Sequence, residues 1–254
     1  MRLEYKYFIP RKDLPRLRQA IKPYVRSDVF CEQQPNKEYT VRSIYYDTSK
    51  LDNYVEKIEG IKTRRKVRIR GYNQFAPGDR VFLEIKRKLG VRIYKNRAPL
   101  PYENLEEFLL RGEINALGEN AFKDENRAAD AQKFLYQIRR NRMHREVLVV
   151  YEREAFHGRF NDALRISFDK NLRGRIRPQI NQLYSNDNLI HAFSQLYVLE
   201  IKFYHGIPLW LKDILRTFNL RQRAISKYTI CRDVHKKENI LGAPARFKHL
   251  QIER

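Results

Sequence analysis

The sequence predicts an α+β protein built on an antiparallel β-barrel with flanking helices. Three observations lead there. Charged residues alternate with apolar ones on separate short runs: Glu4 and Lys6 with Leu3 and Tyr5, Lys66, Arg68 and Arg70 with Val67 and Ile69, Glu84 and Lys86 with Leu83 and Ile85, and Glu200 and Lys202 with Leu199 and Ile201. Successive side chains of a strand point to opposite faces, so each run carries its charges on one side only. Several runs follow one another through turn-length connections, as antiparallel strands do. Helical periodicity is confined to the segments around them. Ordinary half-buried strands present uncharged or mixed residues to water and rarely repeat a Glu-x-Lys pair. The charged sides are therefore expected to line an enclosed space, one suited to a multiply charged anion.

The elements read in order as follows. Leu3 to Ile9 is a strand ended by Pro10, and Lys12 to Tyr24 is a surface helix with Leu14, Leu17 and Ile21 at helical spacing. Tyr39 to Tyr46 is a strand rich in β-branched and aromatic residues, closed by the turn Asp47-Thr48-Ser49. Asn53 to Glu59 is short and ambiguous. Thr63 to Tyr72, Val81 to Arg87 and Val91 to Arg97 are consecutive antiparallel strands, joined through Ala76-Pro77-Gly78-Asp79 and Gly90. Tyr102 to Arg140 is helical, with Leu105, Phe108, Leu109, Phe122, Phe134, Leu135 and Ile138 among charges, and reads as an insertion or cap between two sheet halves. Glu146 to Phe156, Leu164 to Asp169 and Tyr197 to Tyr204 are further strands. Pro208 opens a helix carrying Trp210, Leu211, Ile214 and Leu215, since proline suits a first helical position. A last helix covers Ala224 to Val234, and residues 235–254 read as a loose tail. With no Pro/Gly/Ser-rich linker and no fixed-period repeat, residues 1–254 are expected to form one domain.

Composition narrows the partner. The 254 residues are 42% hydrophobic, enough for a core, so disorder is excluded. A formal charge of +22 and a pI near 10.0 call for a polyanion: nucleic acid, an anionic membrane or a phosphate-rich small substrate. No run of about eighteen apolar residues occurs and the N-terminus has no signal-peptide pattern, so a soluble, cytoplasmic chain is expected. Cys31 and Cys231 are too few for a disulfide framework, and the six histidines show no zinc-ligand spacing.

The basic run is the strongest chemical signal. Lys62, Arg64, Lys66, Arg68 and Arg70 all occupy even positions, and like charges down one strand face repel unless an anion meets them. The alternative is an exposed basic edge strand that discourages edge pairing. Arg68 and Arg70 are the best candidates, because guanidinium forks match phosphate oxygens. In the three Glu-x-Lys pairs, lysines suit phosphate oxygens and glutamates suit a hard divalent ion; each pair taken singly also reads as an exposed pair of little energy. Tyr151 shares a face with Arg153. Arg165, Ser167 and Asp169 share another, with Leu164, Ile166 and Phe168 turned to the core. Ser226 and Lys227 stand near a helix start, where anions are favoured. Glycine-rich phosphate loops, a Ser-His-Asp order and a kinase signature are all missing, so phosphate recognition would rest on side chains.

These motifs together resemble the VTC (vacuolar transporter chaperone) catalytic domain, within the triphosphate tunnel metalloenzyme group. They are E-Y-K-Y at 4–7, V-R-S-I-Y-Y-D-T at 41–48, K-V-R-I-R at 66–70, F-L-E-I-K at 82–86, Y-E-R at 151–153, R-I-S-F-D at 165–169, V-L-E-I-K at 198–202 and S-K-Y at 226–228. The resemblance runs over about residues 1–233. It implies an eight-stranded antiparallel barrel whose bore binds a triphosphate beside Mn²⁺ or Mg²⁺, with ATP and inorganic polyphosphate as partners in polyphosphate synthesis. By position it implies that Lys6, Arg68, Arg70, Lys86, Arg153, Arg165 and Lys227 hold phosphates, that Glu200 holds the metal, and that Tyr151 and Ser226 add hydrogen bonds. Strand parity adds Glu4 and Glu84 toward the metal and Lys66 and Lys202 toward phosphate. Family analogy also implies a membrane-embedded partner subunit, and no nucleic-acid partner is expected. The hydrolytic relatives carry E-x-E-x-K on the first strand; here its first position is Arg2. Losing that carboxylate weakens the case for water activation and favours transfer to another phosphate. Triphosphate hydrolysis and non-catalytic binding of polyphosphate or nucleic acid are the alternatives.

Overall fold

In a computed structural model that describes residues 2–90, 92–113 and 125–238, cross-strand register brings the alternating charges onto one face. β1 (Leu3–Pro10) pairs antiparallel with β10 (Leu196–Phe203), which sets Lys6 opposite Glu200 and Glu4 opposite Lys202. Opposite charges on facing positions stabilise an antiparallel pair. β10 pairs in turn with β8 (Arg165–Ile176), β8 with β7 (His144–Gly158), and β7 with β3 (Tyr39–Asp47). From β3 the sheet continues through β4 (Thr63–Tyr72) and β5 (Arg80–Leu89) to β6 (Arg92–Pro101). These eight strands form one continuous path, and two short strands lie off it: β2 (Val25–Ser27) on β7 and β9 (Ile190–His191) on β8. The end strands β1 and β6 are not hydrogen-bonded to each other, yet Lys86 on β5 reaches within 4.0 Å of Glu4 on β1. The sheet therefore curls into a barrel-like trough. Beside β1 the gap is narrowed by a loop, where the Arg223 amide donates to the Lys6 carbonyl at 2.8 Å.

Apolar residues on the intervening positions cover the outside. Tyr7, Ile9, Ile166, Phe168, Leu199 and Ile201 pack under α1 (Leu14–Ile21) and α6 (Leu209–Thr217). Ile44, Val67, Ile69, Leu83 and Ile85 pack under α4 (Leu105–Arg111) and α5 (Glu125–Arg140). The helical stretch expected as a cap between sheet halves thus covers the outer face of β3 to β5, with Phe108 and Phe134 as its buried anchors. Phe122 lies outside the described residues.

A third cluster sits inside. Tyr39, Val41, Tyr45, Val147, Val149 and Tyr151, on the charged face of β3 and β7, meet Tyr228, Ile230 and Cys231 of α7 (Lys227–Glu238). α7 thereby floors one end of the trough. Its approach to β8 requires Gly174, where an added Cβ would stand 2.6 Å from the Cys231 Cβ. The helix begins three residues later than the sequence suggested, because Gln222 and Arg223 are held extended along β1. It also runs to Glu238, so the tail expected from 235 starts inside a helix; residues 239–254 lie outside the described residues. Pro208 is the N-cap of α6 rather than its first residue. The ambiguous segment is helical, as α3 (Asp52–Ile58), while α2 (Val29–Glu32) and the extension of β8 beyond Asp169 were not anticipated. Both cysteines are buried and free. Among the described residues no helix is long and apolar enough to cross a membrane.

Candidate anion-binding site

Two ion clusters line the trough. The first joins β1, β10, β8, β7 and the start of α7. Lys6 Nζ lies 2.7 Å from Glu4 Oε1 and 3.8 Å from Glu200 Oε2. Lys202 contacts Glu200 and reaches within 3.9 Å of Glu4. Arg153 grips Asp169 with both prongs, Nε to Oδ1 at 2.6 Å and Nη2 to Oδ2 at 2.8 Å, and comes within 3.6 Å of Glu200. Lys227 Nζ is 2.5 Å from Asp169 and 3.8 Å from Glu200. Burial opposes ionisation of Glu200, but Lys202, Lys6, Arg153 and Lys227 hold its carboxyl well below the usual range. Glu4 is likewise resisted by burial and by Glu200, yet Lys6, Lys202 and Lys86 hold it at about 2. Burial pulls Lys202 down to about 8, with Glu200 working against the fall and Arg153 adding to it.

The second cluster spans β4, β5 and β6. Glu84 is buried, and Arg68 donates to its Oε2 at 2.7 Å. Arg70 lies 3.8 Å away, and Lys95 and Arg97 stand 3.3 and 3.4 Å from Oε1. Arg68 also donates to the Tyr45 hydroxyl at 2.7 Å, and Arg70 to Ser43 Oγ at 3.3 Å. Against the effect of burial, Arg68 and Arg70 keep Glu84 ionised far below its ordinary pKa.

Placement of the remaining expected residues is mixed. Lys66 donates to Ser226 Oγ at 3.0 Å, which ties the basic run to the start of α7. Lys86 is half-buried and reaches across to Glu4 at 4.0 Å. Tyr151 turns its ring toward the first cluster: Lys227 Nζ lies 4.7 Å and Arg153 Cζ 5.3 Å from the ring centroid. Arg165 is on the charged face but engaged by buried Asp28 at 2.9 Å and the Tyr39 hydroxyl at 3.2 Å, away from Glu200. Lys62 precedes β4 and is exposed. β4 is paired on both sides, which excludes the exposed edge-strand reading of the basic run. Asp169, Lys95, Arg97, Tyr45 and Asp28 belong to the site although they were not named as candidates. Asp169 and the Lys95/Arg97 alternation were visible from strand parity and Tyr45 lies within the motif at 41–48, whereas nothing in sequence marks Asp28.

The expected carboxylate trio separates. Glu4 and Glu200 are neighbours sharing Lys6 and Lys202, while Glu84 sits in the second cluster. Among the described residues no three His, Cys, Asp or Glu side chains gather as a metal-binding group. One or two hard carboxylates beside a phosphate-sized basic space still fit a divalent ion that takes its other ligands from phosphate oxygens and water.

The sequence profile of the VTC domain matches residues 1–235. A comparison with curated proteins found no match. Among solved structures, a candidate adenylate cyclase from Bacillus halodurans aligns with 95% of this chain and 98% of its own at 11% identity and a TM-score of 0.50. A candidate adenylyl cyclase from Hippeastrum, described as having a dominant triphosphatase activity, covers 92% of this chain and 96% of its own at 14% identity and a TM-score of 0.46. The Bacillus likeness shows the fold alone.

Proposed function

The chain belongs to the VTC domain family, and on that premise we propose that it is a polyphosphate polymerase transferring the γ-phosphate of ATP to a growing inorganic polyphosphate chain. A terminal oxygen of the polyphosphate attacks the γ-phosphorus, the bond from that phosphorus to the β,γ-bridging oxygen breaks, and ADP leaves. The attacking oxygen is already ionised, so no proton has to be removed. Lys6, Arg153, Lys202 and Lys227 on one wall and Arg68, Arg70 and Lys86 on the other hold and align the phosphates and stabilise the charge of the transferring group. Ser226 stands at the start of α7, where its hydroxyl and the helix amides suit a phosphate oxygen. Mn²⁺ or Mg²⁺ held by Glu200, with Glu4 beside it, would add charge neutralisation on the phosphates.

The observation that carries the reading over hydrolysis is the state of the carboxylates. Glu4, Glu84, Asp169 and Glu200 are all tied to cations and all held below their ordinary pKa. A general base works best with a pKa near the working pH, so these groups are poor activators of water. Arg2 in place of a further carboxylate supports the same reading.

Purified protein with ATP and Mn²⁺, read for ADP, orthophosphate and long anionic polymer together, tests it. ADP should accumulate with orthophosphate well below it, and the difference should appear as polymer that an exopolyphosphatase degrades. Equimolar ADP and orthophosphate without polymer would mean a triphosphatase, and binding without turnover a polyphosphate-binding domain. We further propose a cytoplasmic location and a membrane-embedded partner subunit, tested by co-purification from membranes.

A further inference from the structure

Beyond the Arg68/Glu84 rung, β4 and β5 carry cations and no carboxylate of their own. Lys66 faces Lys86 and Arg64 faces Lys88 directly across the two strands, on the same face as Arg68. Like charges on facing positions destabilise a sheet pair. Lys57 on α3 joins them: its Nζ donates to the Ala224 carbonyl at 3.1 Å, just ahead of Ser226. Among the described residues no ion pair engages Lys57, Arg64, Lys66 or Lys88, although all four are half-buried. Burial and then Arg64, Lys6 and Lys88 depress the Lys57 pKa, and burial with Lys6, Arg68, Lys86 and Lys57 depresses that of Lys66, as expected of cations crowded together. Arg70 to Arg64 spans six residues, roughly 20 Å of strand, longer than the phosphate tail of a nucleoside triphosphate.

We propose that Lys57, Arg64 and Lys88 form an extension subsite, beyond Arg68 and Arg70 along β4, that holds the elongated part of a linear polyphosphate. The inference rests on the polymerase reading, which supplies a chain of more than three phosphates. A nucleic acid is the weaker fit, because single-strand sites pair a cationic groove with rings on which bases stack, and positions 57, 64, 66, 86 and 88 supply cations only.

The test is direct binding, free of turnover. Arg64→Gln/Lys88→Gln should weaken a polyphosphate of several tens of phosphates about tenfold or more and lower its log–log salt slope by about 1.4, two contacts at roughly 0.7 each for a single-stranded polyanion. Affinity for tripolyphosphate should stay within about twofold of the unaltered protein. Circular dichroism checks the fold, and Lys88→Gln alone provides a milder variant with the same selective effect. Equal weakening of both ligands, or of neither, would overturn the subsite. So would single-stranded DNA of matched length that binds as tightly and is weakened alike. A protein that released only orthophosphate from ATP would sink the polymerase reading while leaving this length-dependent binding measurable.

Discussion

Arg70 shows what a single side chain contributes here. Its Nε is 3.3 Å from Ser43 Oγ and 3.8 Å from Glu84, so the fork is aimed but not saturated. Arg70→Ala is expected to lower kcat by about 10²-fold or more, the scale for losing one strong electrostatic donor. Arg70→Lys should rescue only in part, because a point charge does not reproduce a bidentate fork; full activity would show that charge alone suffices. Lys202 adds a pH dependence. With its pKa drawn down to about 8, it is cationic below that pH and neutral above it. Bound phosphate favours the cation, so apparent affinity for ATP should fall as pH rises through about 8, and Lys202→Arg should move that limb upward. A KM for ATP that stays flat from about pH 7 to 9 in the unaltered protein would contradict this. At this scale the sequence showed which side each residue takes but not its partner. Arg165 has the same parity as Lys202, yet its guanidinium goes to Asp28.

The helix α7 is the element on which the site depends most. It delivers Ser226 and Lys227, and its seat against β8 leaves no room for a side chain at Gly174, with the Leu148 carbonyl oxygen 3.0 Å and the Cys231 Cβ 2.6 Å from an added Cβ. Gly174→Ala is therefore expected to destabilise the fold by about 1–3 kcal/mol. Its Tm should drop by roughly 2–4 °C per kcal/mol. Activity should fall further than stability explains, since Lys227 would shift from Asp169; unchanged Tm and turnover would show that the helix adapts freely. The start of α7 was misplaced from sequence because the preceding residues have no periodicity of their own. They are fixed by Lys6 and Tyr7 on β1, distant in sequence.

Taken over the whole molecule, folding gathers four carboxylates held below their ordinary pKa into a chain of net charge +22. Glu4 moves from an ordinary 4.5 to about 2, so the stability it contributes is complete above about 4.5 and is lost as pH falls toward 2. Glu84 and Glu200 extend the loss to lower pH and Asp169 adds to it in the same direction, while self-repulsion among the cations grows. Thermal denaturation should show Tm falling steeply below about pH 4.5, with Glu4→Gln flattening the upper part of that fall; a Tm constant between about pH 4.5 and 2 would refute it. The strands and their two faces were legible in the sequence because alternation is local, a period of two that needs no knowledge of neighbours. So were the outer apolar positions and most of the basic lining. Pairing of charges across the trough was not. Whether Glu84 joins Glu200 or Arg68, where Arg165 ends, and that α7 floors one end all depend on the curl of the sheet. That curl is set by packing between residues far apart in the chain, which periodicity cannot record.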